Sequence, residues 1–88
     1  MELEQLRIFV AVAESKSFSK GAKRLYISHS TTSRAVSALE EELGVCLMHR
    51  DNHVSSLTPA GELLLEEAKN IIASTEALKE KLRFFAEN

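Results

Sequence analysis

Small polar side chains, one imidazole and one guanidinium occupy seven consecutive positions near the middle of the chain. Five of the residues from 28 to 34 are Ser or Thr, and the other two are His29 and Arg34. The major groove of duplex DNA admits a helix, and short polar side chains let the N-terminal end of that helix approach base edges closely. The helix dipole also favours phosphate at this end. The run therefore suits contact with double-stranded DNA, and a solvated helix face is the alternative interpretation.

Positive charge is concentrated around this run, although the whole chain has a formal net charge of -2. Residues 16–39 hold five Lys or Arg and no acidic residue, and three Glu follow at residues 40–42, at the end of the helix expected to point away from a duplex. Local potential decides contact with a polyanion, so the net charge does not exclude nucleic acid. We expect Lys20, Lys23 and Arg24 to hold phosphates rather than bases; a purely solubilising role is the alternative.

Two other kinds of chemistry fit the sequence poorly. Cys46, His49 and His53, with Asp51 as a fourth group, are spaced like part of a zinc site, but no second ligand pair accompanies them and a β-ribbon would place them on both of its faces. A Ser-His nucleophile at His29 has no acidic residue nearby in sequence to orient the imidazole, and no Gly-rich turn offers an oxyanion hole or a phosphate cradle. We therefore predict no metal site, no cofactor and no enzymatic activity.

Length and composition limit the class of protein. With 88 residues, 44% hydrophobic and 27% charged, the chain has room for one small globular domain and an additional helix, and its three Gly and one Pro disfavour an all-β fold. The single Cys46 cannot form an intrachain disulfide, and no signal peptide is evident, which favours a cytoplasmic location. The longest apolar run, Ile8 to Ala13, is far short of the ~18 residues that span a bilayer. A domain of this size is marginally stable, so an oligomer is expected.

Apolar spacing predicts three helices that share one core. The first covers roughly residues 2–15, the second begins after a capping Ser17, and the third begins after a capping Ser28 and ends at Gly44. The expected buried stripe of the second helix is Phe18, Ala22, Leu25 and Tyr26. The expected buried stripe of the third helix is Thr32, Val36, Leu39 and Leu43.

The pattern then changes to two short segments, residues 46–50 and 54–58, which flank Asp51 and Asn52 and predict a small β-ribbon. Two helices joined by a short turn, with basic residues outside, are the layout of a helix-turn-helix, and the ribbon would be its wing. The predicted fold is therefore mainly α, a winged helix-turn-helix followed by a long helix.

That long helix begins at Thr58-Pro59, where a capping hydroxyl precedes a Pro in the first turn. We expect a DNA-binding domain over residues 1–58 and a linker or dimerisation helix over residues 59–88. Along this helix a heptad spacing of 4-3-4-3-4-3, interrupted by the polar Thr75, indicates pairing with another helix. The expected dimerisation seam is Leu64, Ala68, Ile71, Thr75, Leu78, Leu82 and Phe85.

Several ordered motifs resemble the N-terminal DNA-binding domain of LysR-type transcriptional regulators. They are Ser17-Phe18-Ser19, Ala22-Lys23-Arg24-Leu25, Ser33-Arg34-Ala35-Val36, Leu39-Glu40-Glu41-Glu42-Leu43-Gly44-Val45, Leu47, Arg50 and Leu57-Thr58-Pro59-Ala60-Gly61. The match is gapless from residue 1 to about residue 85 and is highly specific as a set. It implies sequence-specific binding to an interrupted inverted repeat by a homodimer, usually joined by antiparallel packing of the linker helix. It also implies that a small-molecule effector would act through a C-terminal domain that these residues do not include.

The pattern and the resemblance together predict DNA contacts from the second helix, the recognition helix and the wing. The expected contacts are Ser17, Ser19, Lys20, His29, Ser30, Thr31, Ser33, Arg34, Arg50 and His53. Arg50 would either brace the wing or meet a phosphate, and His53 would enter a minor groove from the wing tip.

Some positions depart from the family pattern. His29 stands where the family usually has Gln, Gly21 replaces the first of two alanines, and the wing reads Asp51-Asn52-His53 where relatives often carry Arg or Lys. We therefore expect weaker non-specific binding than in a more basic relative. An interaction module that forms mixed dimers without binding DNA is the alternative function, and DNA affinity that falls steeply with salt would distinguish the two.

Overall fold

The computed structural model describes residues 1–51 and 54–86, with residues 50, 51, 54 and 55 described by their backbone. The elements in chain order are α1 (Leu3–Ser15), α2 (Phe18–Leu25), α3 (His29–Leu43), β1 (Met48–Asp51), β2 (Val54–Leu57) and α4 (Pro59–Ala86). The expected fold, three helices, a two-stranded wing and a long final helix, is confirmed. In the wing, β1 and β2 pair antiparallel, with Met48 opposite Leu57.

Helix α1 is the centre of the fold because it is buried on both sides. One side, which includes Phe9 and Val12, packs with Val36 and Leu39 of α3 in the main core. The other side forms a second apolar cluster against α4, built from Leu6, Val10 and Ala68 with Leu3, Leu64, Leu65 and Ile72 around them. Helix α1 therefore joins the helix-turn-helix to the long helix.

The predicted caps that separate α2 and α3 are present. The Oγ of Ser17 accepts a hydrogen bond from the backbone N–H of Lys20 at 3.1 Å, and Ser28 starts α3 in the same way. Gly44 ends α3 in the left-handed conformation, with φ of 69°. These caps satisfy backbone groups that the helix ends leave unpaired.

Two residues expected in the core lie outside it. Tyr26 is 96% exposed, because it is the C-cap of α2 in the left-handed conformation and the chain reverses there, so that Ile27 packs against the core instead. Leu43, in the last turn of α3, is 40% exposed because the core contact of this helix ends at Leu39.

The wing and α4 meet through a close contact of backbone atoms. Thr58 donates its backbone N–H to the carbonyl of Leu47 at 3.0 Å and its hydroxyl to the carbonyl of Cys46 at 2.6 Å. Its hydroxyl oxygen also accepts from the N–H of Gly61 at 3.1 Å. A Cβ atom on Gly61 would lie 2.0 Å from the carbonyl oxygen of Leu47, so only glycine fits at this position.

Helix α4 has 28 residues and is about 42 Å long at about 1.5 Å per residue. Its first half packs against α1, and its second half extends from the domain, so the molecule reaches 53 Å in its longest dimension. The domain boundary expected between residues 58 and 59 thus separates Leu6 and Val10 from Ala68, although these residues pack in one apolar cluster. Among the described helices, none is both long enough and apolar enough to cross a membrane.

Candidate nucleic-acid interface

The N-terminal turn of α3 carries a connected set of hydroxyl groups. The Oγ of Ser28 accepts from the backbone N–H of Thr31 at 3.1 Å and donates to the Oγ1 of Thr31 at 2.8 Å. Ser30 Oγ lies 3.3 Å from Ser28 Oγ. A hydroxyl has one proton to donate, so Ser28 acts towards Ser30 as an acceptor, and Thr31 keeps its own proton. The turn therefore offers a donor at Thr31 and spare acceptor lone pairs at Ser30.

The two faces of α3 are sharply divided. Thr32, Val36 and Leu39 are each 0% exposed and fix the helix in the core. The opposite face presents His29, Ser30, Thr31 and Arg34 to solvent, and Ser33 is partly exposed. The exposed face was predicted from the sequence, and Ser37, one turn further along, extends it.

Arg34 is the long cationic side chain of this face. It is exposed, and no carboxylate of the described residues forms an ion pair with it. The side chains one turn away on either side, Ser30 and Ala38, are small. A guanidinium presented in this way can reach past its own helix to a base edge or a phosphate.

Helix α2 adds a second polar edge. Ser17 caps its N-terminus, and Ser19, Lys20 and Lys23 are exposed, whereas Ala22 is buried on the opposite side. In the described part of the chain, neither lysine forms an ion pair with a carboxylate. These cations, like Arg34, are available to an external anion.

Arg24 differs from the other cations of this segment. Its guanidinium lies 2.9 Å from the carboxylate of Glu14 on α1, and Lys69 of α4 approaches the other oxygen of that carboxylate at 3.3 Å. The hydrogen bond from Arg24, followed by that from Lys69, holds the pKa of Glu14 below its usual range. The expected phosphate contact at Arg24 thus competes with an ion pair inside the chain, which sequence spacing alone did not reveal.

Two of the acidic residues 40–42 make contacts at the C-terminal end of α3, away from its N-terminal turn. The carboxylate of Glu40 accepts from the backbone N–H of Leu47 at 2.8 Å, just before β1. Glu42 lies 2.8 Å from the amino group of Met1. The three glutamates are at the C-terminal end of α3, as the sequence predicted.

The predicted wing contacts are described only in part. The backbone of Arg50 pairs with Ser55 in the ribbon, and its side chain lies outside the described atoms. His53, the predicted contact at the wing tip, lies outside the described residues. His49 and Cys46 are exposed.

The expected dimerisation seam divides into two parts. Ala68 is 0% exposed and packs inside its own chain with Leu6 and Val10, so it is not available to a partner in the way the heptad spacing suggested. Leu64 packs against the same cluster and is partly buried. Helix α4 turns these positions towards α1, a contact that the heptad spacing alone does not indicate. The exposed seam residues are Ile71, Leu78, Leu82 and Phe85, with Thr75 partly exposed.

Comparison with known proteins identifies the domain. A sequence model described as "Bacterial regulatory helix-turn-helix protein, lysR family" matches residues 3–62. The HTH-type transcriptional regulator BudR of Klebsiella aerogenes is 44% identical over 86 residues, which are 98% of this chain and 60% of BudR. The crystal structure of the BenM DNA-binding domain with catB site 1 DNA superimposes with a TM-score of 0.95 at 35% identity, covering 100% of this chain and 98% of that one. The CbnR DNA-binding domain in its DNA complex gives 0.93 at 38% identity, covering 98% and 99%.

The chain spans 24% of the probable RuBisCO transcriptional regulator of Trieres chinensis, to which it is 42% identical over 74 residues, 84% of its own length. The family model covers α1 to the first turn of α4, and the BenM domain superimposes over the whole chain, from α1 to α4. The chain therefore belongs to the lysR family of bacterial regulatory helix-turn-helix proteins and corresponds to the DNA-binding domain of this non-enzymatic family.

Proposed function

We propose that this chain binds double-stranded DNA sequence-specifically, with the N-terminal end of α3 in the major groove and the wing at the flanking minor groove. The observation that carries the proposal is the division of α3: Thr32, Val36 and Leu39 fix one face in the core, while Arg34 stands exposed among small polar residues on the other. The DNA complexes of the BenM and CbnR domains, which share this fold, support it.

The phosphate contacts would come from α2. Its N-terminal residues Ser17 and Ser19 and the cations Lys20 and Lys23 lie on the solvent side, and a helix N-terminus attracts phosphate. Since Arg24 is paired with Glu14, we expect fewer phosphate contacts than the five cations of residues 16–39 suggest. Arg50 and His53 of the wing remain proposed contacts.

The test is the exchange Arg34→Ala with Arg83→Ala as its matched control, because both remove one exposed guanidinium and Arg83 lies near the far end of α4. A duplex selected by the chain from a random-sequence pool serves as the probe, at two salt concentrations. Arg34→Ala should weaken binding by about 1–3 kcal/mol if the guanidinium reads a guanine. Arg83→Ala should bind like the parent.

Two outcomes would contradict the proposal. If the folded Arg34→Ala variant binds as well as the parent, α3 does not read DNA with this face. If the parent enriches no duplex and shows no affinity that falls with salt, the chain is an interaction module rather than a DNA-binding domain.

We also propose that two copies join through α4 and bind an interrupted inverted repeat. The exposed residues Ile71 and Leu78 flank Ser74 and Thr75 symmetrically, and the groove between them is lined by Glu67, Asn70, Ile71, Ser74, Thr75 and Leu78. If a second α4 runs antiparallel across a two-fold axis near Ser74, Ile71 meets Leu78 of the second copy. The same register places Glu67 opposite Leu82 of the second copy and next to its Lys81, an attractive charge pair that occurs twice.

Symmetric cross-linking distinguishes this arrangement from a parallel one. In a Cys46→Ser background, Ser74→Cys should form a disulfide with the same residue of the second copy. Ile71→Cys should not, because antiparallel helices separate its two copies by about seven residues, or roughly 10 Å. A parallel pair would cross-link at both positions. A parent chain that stays monomeric at micromolar concentration would refute the dimer.

Effector binding and location in the cell are expectations drawn from the longer relatives. The matched segments are 60% of BudR and 24% of the Trieres chinensis regulator, so we expect an effector to bind in the remaining part of such longer proteins. As a DNA-binding regulator the protein would act in the bacterial cytoplasm, where the chromosome lies.

A further inference from the structure

The imidazole of His29 is held against the ring of Phe18. The two ring centroids are 6.0 Å apart and the ring planes are inclined by 44°. Phe18 is the first residue of α2 and packs against the main core, and His29 is the first residue of α3 and is exposed. The imidazole is therefore positioned on one side by the core, at the junction between the N-termini of two helices, while its other side faces solvent.

The charged residues next to this junction in the sequence are all positive. In α2, which supplies Phe18, the first turn has no acidic residue, and Lys20 lies two positions after Phe18. In α3 the first turn also has no acidic residue, and Arg34 follows in the second turn. Lys16, just before α2, is exposed as well. The described part of these two helix starts therefore holds no carboxylate for an imidazolium, whereas bound DNA would bring anionic and electron-rich groups to it.

We propose that His29, positioned by Phe18, is a proton-linked specificity residue, whose protonated imidazole donates a hydrogen bond to an acceptor atom of bound DNA. This inference rests on the proposed DNA binding. A neutral imidazole has one donor and one acceptor, whereas an imidazolium has two donors and a positive charge. DNA presents phosphate oxygens and, in the major groove, the N7 and O6 acceptors of guanine.

The consequence is that binding takes up a proton. Because the proposed hydrogen bond to DNA stabilises the charged form, affinity rises as the pH falls through the range in which histidine gains its proton. One linked proton per recognition helix changes affinity by at most about tenfold per pH unit. Between pH 7.5 and 6.0 we expect a gain of several-fold to about tenfold for each half-site.

Phe18 is a positioning residue in this proposal. A ring held in its bound orientation loses less conformational freedom when it makes its contact. Phe18→Leu should therefore keep the fold and reduce the pH dependence, whereas Phe18→Tyr, which retains an aromatic ring, should preserve it. A purely structural role would lower stability without changing the slope of affinity against pH.

The experiment measures affinity from pH 6.0 to 7.5 for the selected duplex and for a scrambled duplex of the same composition. The parent should show the slope of affinity against pH, and His29→Gln should lose most of that slope while still binding. The double change of His49 and His53 to Gln removes the proposed wing contact and so lowers affinity, but the slope that His29 supplies should remain. A slope confined to the selected duplex, and lost when its guanines are replaced by 7-deazaguanine, assigns the acceptor to guanine N7. A slope of equal size on both duplexes assigns it to phosphate.

Three results would overturn the inference and leave DNA binding intact: a parent whose affinity does not depend on pH, a His29→Gln variant with the full slope, or a slope that disappears only with the wing histidines. Failure of the proposed function is distinguishable, since the parent would then bind neither duplex at any pH.

Discussion

A methyl group added at Gly61 should destabilise the domain more than any change of comparable size on its surface. Gly61 lies in the first turn of α4, where its Cβ would stand 2.0 Å from the carbonyl oxygen of Leu47 and 3.0 Å from the carbonyl carbon. Ordinary contact begins near 3.4 Å, so the two segments have to separate by more than 1 Å. Because the neighbour is backbone, no rotamer change can relieve the overlap.

The magnitude follows from what that separation breaks. Overpacking costs about 1–3 kcal/mol. The hydrogen bonds from the backbone N–H and hydroxyl of Thr58 to the carbonyls of Leu47 and Cys46 tie the same two segments together, and each contributes about 1 kcal/mol. The higher helix propensity of Ala offsets at most about 1 kcal/mol. Gly61→Ala should therefore lower the free energy of unfolding by about 2–4 kcal/mol.

The assay is thermal unfolding followed by circular dichroism at one fixed protein concentration, since dimerisation makes the midpoint concentration-dependent. For a domain of 60–100 residues each kcal/mol moves Tm by roughly 4–8 °C, so the midpoint should fall by about 8 °C or more. Gly44→Ala is the matched control. Gly44 has no atom within 4 Å of its virtual Cβ and only its φ of +69° opposes a side chain, so its change should cost about 1 kcal/mol. If Gly61→Ala melts at or above the Gly44→Ala midpoint, the close approach of α4 to Leu47 is not part of the native state.

Two further changes address strain and charge. Tyr26→Asn should raise the free energy of unfolding by about 0.5–1 kcal/mol in urea titrations. Asn tolerates the left-handed conformation of this position, and the tyrosine side chain is 96% exposed and contributes no packing. A loss of stability would show that the tyrosine ring makes contacts. Glu14→Gln should flatten the loss of stability as the pH falls below about 4.5, because a carboxyl whose pKa is lowered by folding stabilises the fold above its unfolded pKa and loses that contribution as the pH falls through its folded pKa. An unchanged pH profile of stability would mean that the pairs with Arg24 and Lys69 do not form in solution.

The helices and their caps could be predicted because the signals are local. Ser17, Ser28 and Gly44 each act on backbone groups within four residues, so sequence spacing identifies them. Apolar spacing failed where a residue leaves its helix: Tyr26 continues the buried stripe on a helical wheel but is the residue at which the helix ends. A helical wheel assigns each residue to a face of the helix, but it does not show where the chain leaves the helix and reverses.

The candidate site, like the fold, could be predicted from the sequence only where the signal is local. The exposed face of α3 was predictable, since its opposite face has a clear apolar period. The pairing of Arg24 with Glu14 joins residues from two helices, and the burial of Ala68 depends on how α4 lies against α1. Both contacts depend on how the helices pack, which neither the heptad pattern nor the distribution of charge along the sequence gives. The first pairs one cation of the predicted DNA interface inside the chain, and the second buries one residue of the predicted dimerisation seam.

The two-sided burial of α1 determines where this protein can be cut. Protease cleavage or truncation after Thr58 would leave every predicted DNA-contacting residue in place and yet remove the helix that covers Leu6 and Val10. The remaining fragment would present an apolar strip to water, and it would aggregate or unfold before its affinity could be measured. The smallest autonomous fragment should therefore extend to Ile72 or beyond, well past the last residue predicted to contact DNA. Fusions or reporters should be attached beyond that point.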